Sequence, residues 1–161
     1  MRLFFHLCPR PNWHLFVSDW LPVLVCMGLI FTASSDQGSF GHSSRIIEPL
    51  LRWLLPQISA ETVHAVVVAV RKCAHLTEYA VLALLVWRAL RNSRRPEMPP
   101  SDWSQFRLAL LLTALYAASD EFHQLFVPSR EASVWDVLLD STGGALALAA
   151  LWGIGKWRKC W

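Results

Sequence analysis

The chain is poor in the residues that build loops and poor in charge. Its 161 residues include 7 glycines and 9 prolines, and only 17% are Asp, Glu, Lys or Arg. That scarcity excludes a collagen-like or low-complexity chain and a strongly charged disordered one. Four cysteines, Cys8, Cys26, Cys73 and Cys160, form no Cys-x-x-Cys pair, and Cys26 falls inside an apolar run. Neither a disulfide framework nor a metal site is indicated, and the cysteines read as packing residues or idle thiols. A net charge of +3, without basic residues interleaved among exposed aromatics, gives no expectation of nucleic acid as a partner. What abounds is apolar: 54% of the residues are hydrophobic and 9 are tryptophan. Residues 1–161 read as one all-α integral membrane domain.

Four stretches are apolar enough to span a membrane: Asp19 to Ser35, Cys73 to Leu90, Leu108 to Val127 and Val134 to Gly155. Each comes near the roughly 20 residues that a helix needs to cross about 30 Å of hydrocarbon. The first has some features of a signal peptide, with Arg2 and Arg10 before an apolar core that ends in "FTASS". Trp20 and Pro22, together with the long basic and aromatic lead, fit an uncleaved anchor better. Between the first two spans, "IIEPLLRWLLP" puts Ile46, Ile47, Leu50, Leu51, Leu54 and Leu55 on one side and Glu48 and Arg52 on another. This is the pattern of an amphipathic helix lying in the membrane interface. Ser59, with Glu61 just after it, has the character of an N-cap, and a helix starting there can run on into the second span. The expected architecture is a four-helix transmembrane bundle with an outer interfacial amphipathic helix.

Charge orients this bundle. Arg2 and Arg10 precede the first span, Arg88, Arg91, Arg94, Arg95 and Arg107 gather around the second connection, and Lys156, Arg158 and Lys159 follow the fourth span. That asymmetry predicts a multi-pass protein with both termini in the cytoplasm. The remaining segments, where Arg45, Arg52, Arg71, Lys72 and Arg130 mix with acidic residues, then face outward. The "RNSRRPEMPPSD" connector reads as a topology signal in contact with anionic lipid.

One stretch breaks the apolar pattern. "SDEFHQLFVPSRE" follows directly on "LALLLTALYAA" and places two acids, a histidine and a glutamine where the third span is still running. With Arg88, Arg107 and Lys156 marking one membrane edge, a rise of about 1.5 Å per residue puts His75, Asp120, Glu121, His123 and Asp140 about 20–24 Å away from it. Glu78 lies deeper and Asp136 at the outer surface by the same reasoning. Helix spacing groups these residues further: Lys72, His75 and Tyr79 share a face, as do Asp120 and Gln124, and Asp136, Asp140 and Gly144. A charge at membrane depth costs a few kcal/mol, about 3 on the lenient insertion scale, so exposure to lipid is disfavoured. The expectation is a polar pocket inside the bundle, open to the outside and lined by Lys72, His75, Glu78, Tyr79, Asp120, Glu121, His123, Gln124, Arg130, Asp136 and Asp140. The competing reading is that these side chains only pair off across helices, for instance Lys72 or Arg130 with Asp120 or Glu121. Gly143, Gly144, Ala145 and Ala149 read as small-residue packing positions, and Trp13, Trp20, Trp53, Trp103 and Trp135 as interfacial anchors.

In "RKCAHLTEYAVLALL" and "YAASDEFHQLFVPSREASVWDVLLDSTGG", and in its layout, the chain resembles the VanZ-like family of small bacterial membrane proteins. The likeness covers roughly Leu21 to Gly153. Ser129 stands where the family pattern usually has Gly, and Asp140 where it usually has Asn, adding an acid. The resemblance implies a link to resistance to the glycopeptide teicoplanin and implies no defined reaction. Two functions follow as expectations. In the first, the outward pocket binds a cell-envelope ligand, a lipid-linked precursor or lipid head group, with Lys72 and Arg130 meeting phosphate or carboxylate and the acids accepting from hydroxyls or amides. In the second, the protein is an intramembrane enzyme acting on such a lipid, with His75 or His123 as general base. The sequence supplies no obvious nucleophile with a matched base, and its carboxylates and histidines fit no metal-site spacing well, so binding is favoured and no cofactor is expected. A proton-coupled transporter has the buried acids it needs but lacks the expected inverted repeat.

Overall fold

The computed structural model describes residues 13–35, 40–93, 103–128 and 132–159. These residues form five α-helices and, among the described residues, no strand: α1 Trp13–Ser34, α2 Phe40–Leu54, α3 Ala60–Ser93, α4 Trp103–Gln124 and α5 Val134–Trp157. The four apolar stretches read from the sequence fall on α1, α3, α4 and α5. The third ends sooner than expected, because the chain leaves the helix after Gln124 and turns at Leu125 and Phe126.

α3 is the spine of the molecule, packed against all four other helices. Its 34 residues correspond to about 51 Å at 1.5 Å per residue, well beyond the roughly 30 Å of a hydrocarbon core. The helix begins where sequence places it: the Ser59 hydroxyl accepts from the Thr62 amide at 3.1 Å, satisfying one of the orphan donors of the first turn. Before that cap, α2 runs back against α3 with Ile47 and Leu51 half-buried, while Ile46, Leu50, Trp53 and Leu54 remain exposed. Its polar side carries the Glu48–Arg52 pair at 2.9 Å, one turn apart.

The core joins Tyr79, Leu82, Ala83, Val86 and Trp87 of α3 to Phe106, Ala109 and Ala117 of α4, Leu148 of α5, and Val23 and Ile30 of α1. Glycine sets how closely α5 can approach. A Cβ at Gly143 would fall on the Leu76 carbonyl oxygen, and one at Gly144 would meet Ala83 Cβ at 3.2 Å and Thr113 Cγ2 at 3.3 Å. Such close contact is how helices associate where no hydrophobic effect drives them together. Outward, Leu24, Leu29, Leu111, Leu115, Leu146 and Ile154 are each at least half exposed, a surface suited to hydrocarbon.

Three of the helices, α1, α3 and α5, are long and apolar enough to cross a membrane. α4 is not among them, because Gln105, Arg107, Thr113, Ser119, Asp120, Glu121 and His123 dilute its apolar run. Yet its polarity is turned inward: Gln105, Thr113, Asp120, Glu121 and Gln124 are buried, while Leu111, Leu115 and Phe122 are exposed. Thr113 satisfies its own hydroxyl by donating to the Ala109 carbonyl at 2.8 Å.

α1 is tied to the C-terminal end of α3 by a polar clasp. Asp19, buried, accepts from Asn92 Nδ2 at 2.9 Å and lies 3.7 Å from Arg88 Nη2. Trp20 Nε1 donates to Ser93 Oγ at 3.2 Å. Pro22 lies inside α1 and lacks an amide hydrogen, which removes the usual helical donor to the Ser18 carbonyl. Arg88 Nη2 donates to that carbonyl at 3.3 Å, so the group that proline leaves open is met from the neighbouring helix.

Candidate functional site

At the opposite end of the bundle, where α1 and α4 finish and α5 begins, acidic residues converge. α4 contributes Asp120 and Glu121 from consecutive positions, at 2% and 6% exposure, and α5 contributes Asp140 at 1%. Asp120 Oδ2 accepts from Ser34 Oγ of α1 at 2.6 Å and from Gln124 Nε2 at 3.3 Å. Gln124 Nε2 also reaches Glu121 Oε1 at 3.1 Å, so one amide bridges the two acids on its own helix face. Glu121 Oε2 accepts from the Ser133 amide at 2.9 Å, fixing the chain as it enters α5. Ser133 in turn caps α5, its hydroxyl accepting from Trp135 N at 3.2 Å.

Behind these acids sits Tyr79 of α3, fully buried, its hydroxyl turned to Asp120 and Asp140 without completing a hydrogen bond. Its ring packs at 6.3 Å from that of Tyr116, whose hydroxyl donates to the Met27 carbonyl of α1 at 2.6 Å. All four core helices thus contribute to one polar centre. Towards the end of the bundle the groups become wetter. His75 Nδ1 lies 3.8 Å from Glu78 Oε2, both partly buried, and Lys72 Nζ donates to Asp136 Oδ1 at 2.8 Å with their side chains 52% and 33% exposed.

Most residues expected at this end are brought together: Tyr79, Asp120, Glu121, Gln124 and Asp140 in the buried centre, and Lys72, His75, Glu78 and Asp136 on the way out to solvent. Lys72 pairs with Asp136 and not with Asp120 or Glu121. His123 stands apart from the acids in its ring contact, stacked on Phe31 at 4.4 Å and 30°. Arg130 lies outside the described residues. Ser34, Tyr116 and Ser133 are part of the centre and were not singled out by sequence. Ser34 had a signal, since it occupies the polar end of an apolar run one helix away from another polar end. Tyr116 precedes Asp120 by one turn on α4.

Around the centre stands an apolar collar. Phe122, Leu125, Phe126, Val134 and Trp135 are each more than 60% exposed. A separate groove of about 470 Å³ lies at the corner between α2 and α3, lined by Leu55, Pro56, Gln57, Ile58 and Thr62, away from the acids. Among the described residues, no three His, Cys, Asp or Glu side chains are grouped to hold a metal ion.

Apolar helices long enough to span and buried ionisable residues at one end define a polytopic α-helical membrane protein. The chain belongs to the VanZ-like family: the family profile described as VanZ/LLP1 matches residues 19–155, most of its length. No curated protein and no solved structure matches it.

Proposed function

We propose that the protein holds the polar part of a cell-envelope lipid, a lipid-linked precursor or a phospholipid head group, at the acidic end of the bundle, and thereby affects susceptibility to glycopeptides. In this reading α4 is the fourth span and α2 lies in the outer interface of the bacterial cytoplasmic membrane, with both termini inside. The inward turn of every buried polar residue on α4 supports the span: only a helix with lipid on its other side gains from hiding these groups. The basic residues around Arg88 and Arg91 and after Lys156 support the orientation.

The observation that carries the functional reading is the pairing of a graded polar entrance with an apolar collar. Lys72 and Asp136 at the rim offer one donor cation and one acceptor to a head group, and the exposed Phe122, Phe126 and Trp135 offer surface to its acyl or isoprenoid chains. A staple between helices needs neither an exposed rim nor a collar. Catalysis by His75 or His123 is less supported, since His123 is stacked on Phe31 and His75 Nδ1 lies 3.8 Å from the Glu78 carboxylate.

The test is the lipid that the protein carries. Purified in mild detergent and examined by native mass spectrometry, it is expected to retain one lipid class well above that class's share of the bulk membrane. A bound lipid composition equal to that of the bulk membrane contradicts the reading.

A further inference from the structure

The buried carboxylates are short of donors. Ser34 and Gln124 serve Asp120 Oδ2, and Gln124 and Ser133 serve Glu121, but Oδ1 of Asp120, Oδ1 of Asp140 and the Tyr79 hydroxyl have no hydrogen-bond partner. Tyr79 is fully buried, and Gly144, one turn beyond Asp140 on α5, packs against its backbone. The acids gathered at this end are Asp120 and Glu121 on α4, Glu78 on α3 and Asp136 one turn before Asp140 on α5. The basic residues Arg71 and Lys72 at this end of α3 both face Asp136, Lys72 through the ion pair at the rim and Arg71 through its charge.

Several carboxylates packed together out of water do not all stay ionised, because like charges and lost hydration both oppose it. Protonation of one removes a charge and adds a second O–H donor, beside that of Tyr79, where two carboxylate oxygens have no partner. These atoms have no access to solvent, so a head group or hydrated ion meets them only if the helices part.

We propose that Asp140 binds a proton in the bundle interior and shares it with Tyr79 and Asp120, forming a proton-binding centre supplied from the Lys72–Asp136 end. The route is graded in exposure. Lys72, His75 and Tyr79 follow one another along a face of α3, with side-chain exposure falling from 52% at Lys72 to 19% at His75 and to complete burial at Tyr79. On α5, Asp136 at 33% leads to Asp140 at 1% in one turn. Each rung can accept or pass a proton. The proton leaves water at the rim, crosses the half-buried His75–Glu78 pair and ends as the carboxyl hydrogen of Asp140, the net change being one carboxylate neutralised. This inference rests on the buried geometry and not on lipid binding.

Infrared difference spectroscopy of the whole protein in detergent tests it. At neutral pH the wild type is expected to show a protonated-carboxyl C=O stretch that shifts in deuterium oxide. Asp140→Asn is expected to remove that band, and Tyr79→Phe to move its frequency while leaving it present. The absence of a protonated-carboxyl band in the wild type overturns the proposal, as does a band that survives Asp140→Asn. Where Asp140→Asn fails to fold, the Tyr79→Phe spectrum decides, and an unmoved band counts against the proposal. Sodium chloride titrated at fixed pH closes the other route: thermal stabilisation by sodium that Asp140→Asn abolishes reassigns the centre to a metal cation and overturns the proton.

Discussion

Replacing Gly143 by alanine adds one methyl group at the tightest point of the α3–α5 interface. The new Cβ would fall on the Leu76 carbonyl oxygen, a backbone atom within α3 that no rotamer change can move aside. α5 therefore has to draw back, loosening the Gly144 contacts with Ala83 and Thr113 as it does so. Overpacking of this kind costs about 3 kcal/mol at the upper end of its usual range. Alanine returns about 1 kcal/mol in helix propensity, leaving about 2 kcal/mol of net destabilisation. For a chain of this size that corresponds to a fall in melting temperature of about 4–8 °C. The control lies on the same helix: a Cβ at Gly153 meets nothing within 4 Å, so Gly153→Ala keeps the propensity gain without the clash. Thermal unfolding of the three proteins in one detergent, followed by circular dichroism, is expected to rank Gly153→Ala at or above wild type and Gly143→Ala below it. A Gly143→Ala protein as stable as the Gly153→Ala protein refutes the close approach of α5 to α3.

The topology predicts that a cysteine introduced at Glu97, in an otherwise cysteine-free variant, is protected from a membrane-impermeant maleimide in intact cells, while one at Arg130 is labelled; the reverse pattern inverts the orientation. At the Asp19 clasp, a double-mutant cycle of Asp19→Asn and Asn92→Ala, read by thermal stability, is expected to return a coupling of about 1–2 kcal/mol, and additive effects would mean that the 2.9 Å contact contributes nothing. Ser34→Ala deletes the 2.6 Å donor to Asp120 and is expected to cost about 1.5–3 kcal/mol while that carboxylate is charged. In an Asp120→Asn background the same change should cost visibly less, and an equal cost in both backgrounds would mean that Ser34 acts through packing alone.

Helix placement was largely legible because it depends on local pattern. The apolar runs fall on α1, α3, α4 and α5, the third overrunning its helix, Ser59 caps α3, and the amphipathic "IIEPLLRWLLP" covers much of α2. The depth count uses the same regularity, a fixed rise per residue, to expect Asp120 and Asp140 near one level on different helices; the structure buries both, near the end of α4 and the start of α5. What it could not supply is rotation about each helix axis. Depth offered Lys72 the partners Asp120 and Glu121, and the structure turns it to Asp136. Depth also placed His123 level with the acids, and the structure stacks its ring on Phe31 of α1. Ser34, Tyr116 and the Asp19–Asn92 contact join residues 73 to 89 positions apart, and no periodicity within one segment encodes such a pairing. The third apolar stretch overran α4 because Leu125 and Phe126 are as apolar as the helix before them although they lie in the turn.

The most direct measurement of the central claim uses two aspartates at opposite ends of the bundle. Asp136 and Asp19 each accept a hydrogen bond from α3, Asp136 from Lys72 and Asp19 from Asn92, so replacing either by asparagine alters a similar contact. Only Asp136 lies at the rim assigned to the lipid head group. Copurified lipid is to be quantified by mass spectrometry alongside melting temperature for wild type, Asp136→Asn and Asp19→Asn. The account predicts that Asp136→Asn loses the retained lipid class while keeping most of its stability, and that Asp19→Asn keeps the lipid whatever stability it loses. Lipid retention that falls in both variants in step with melting temperature contradicts it, and would make the acids at the ends of α4 and α5 a fastening between helices.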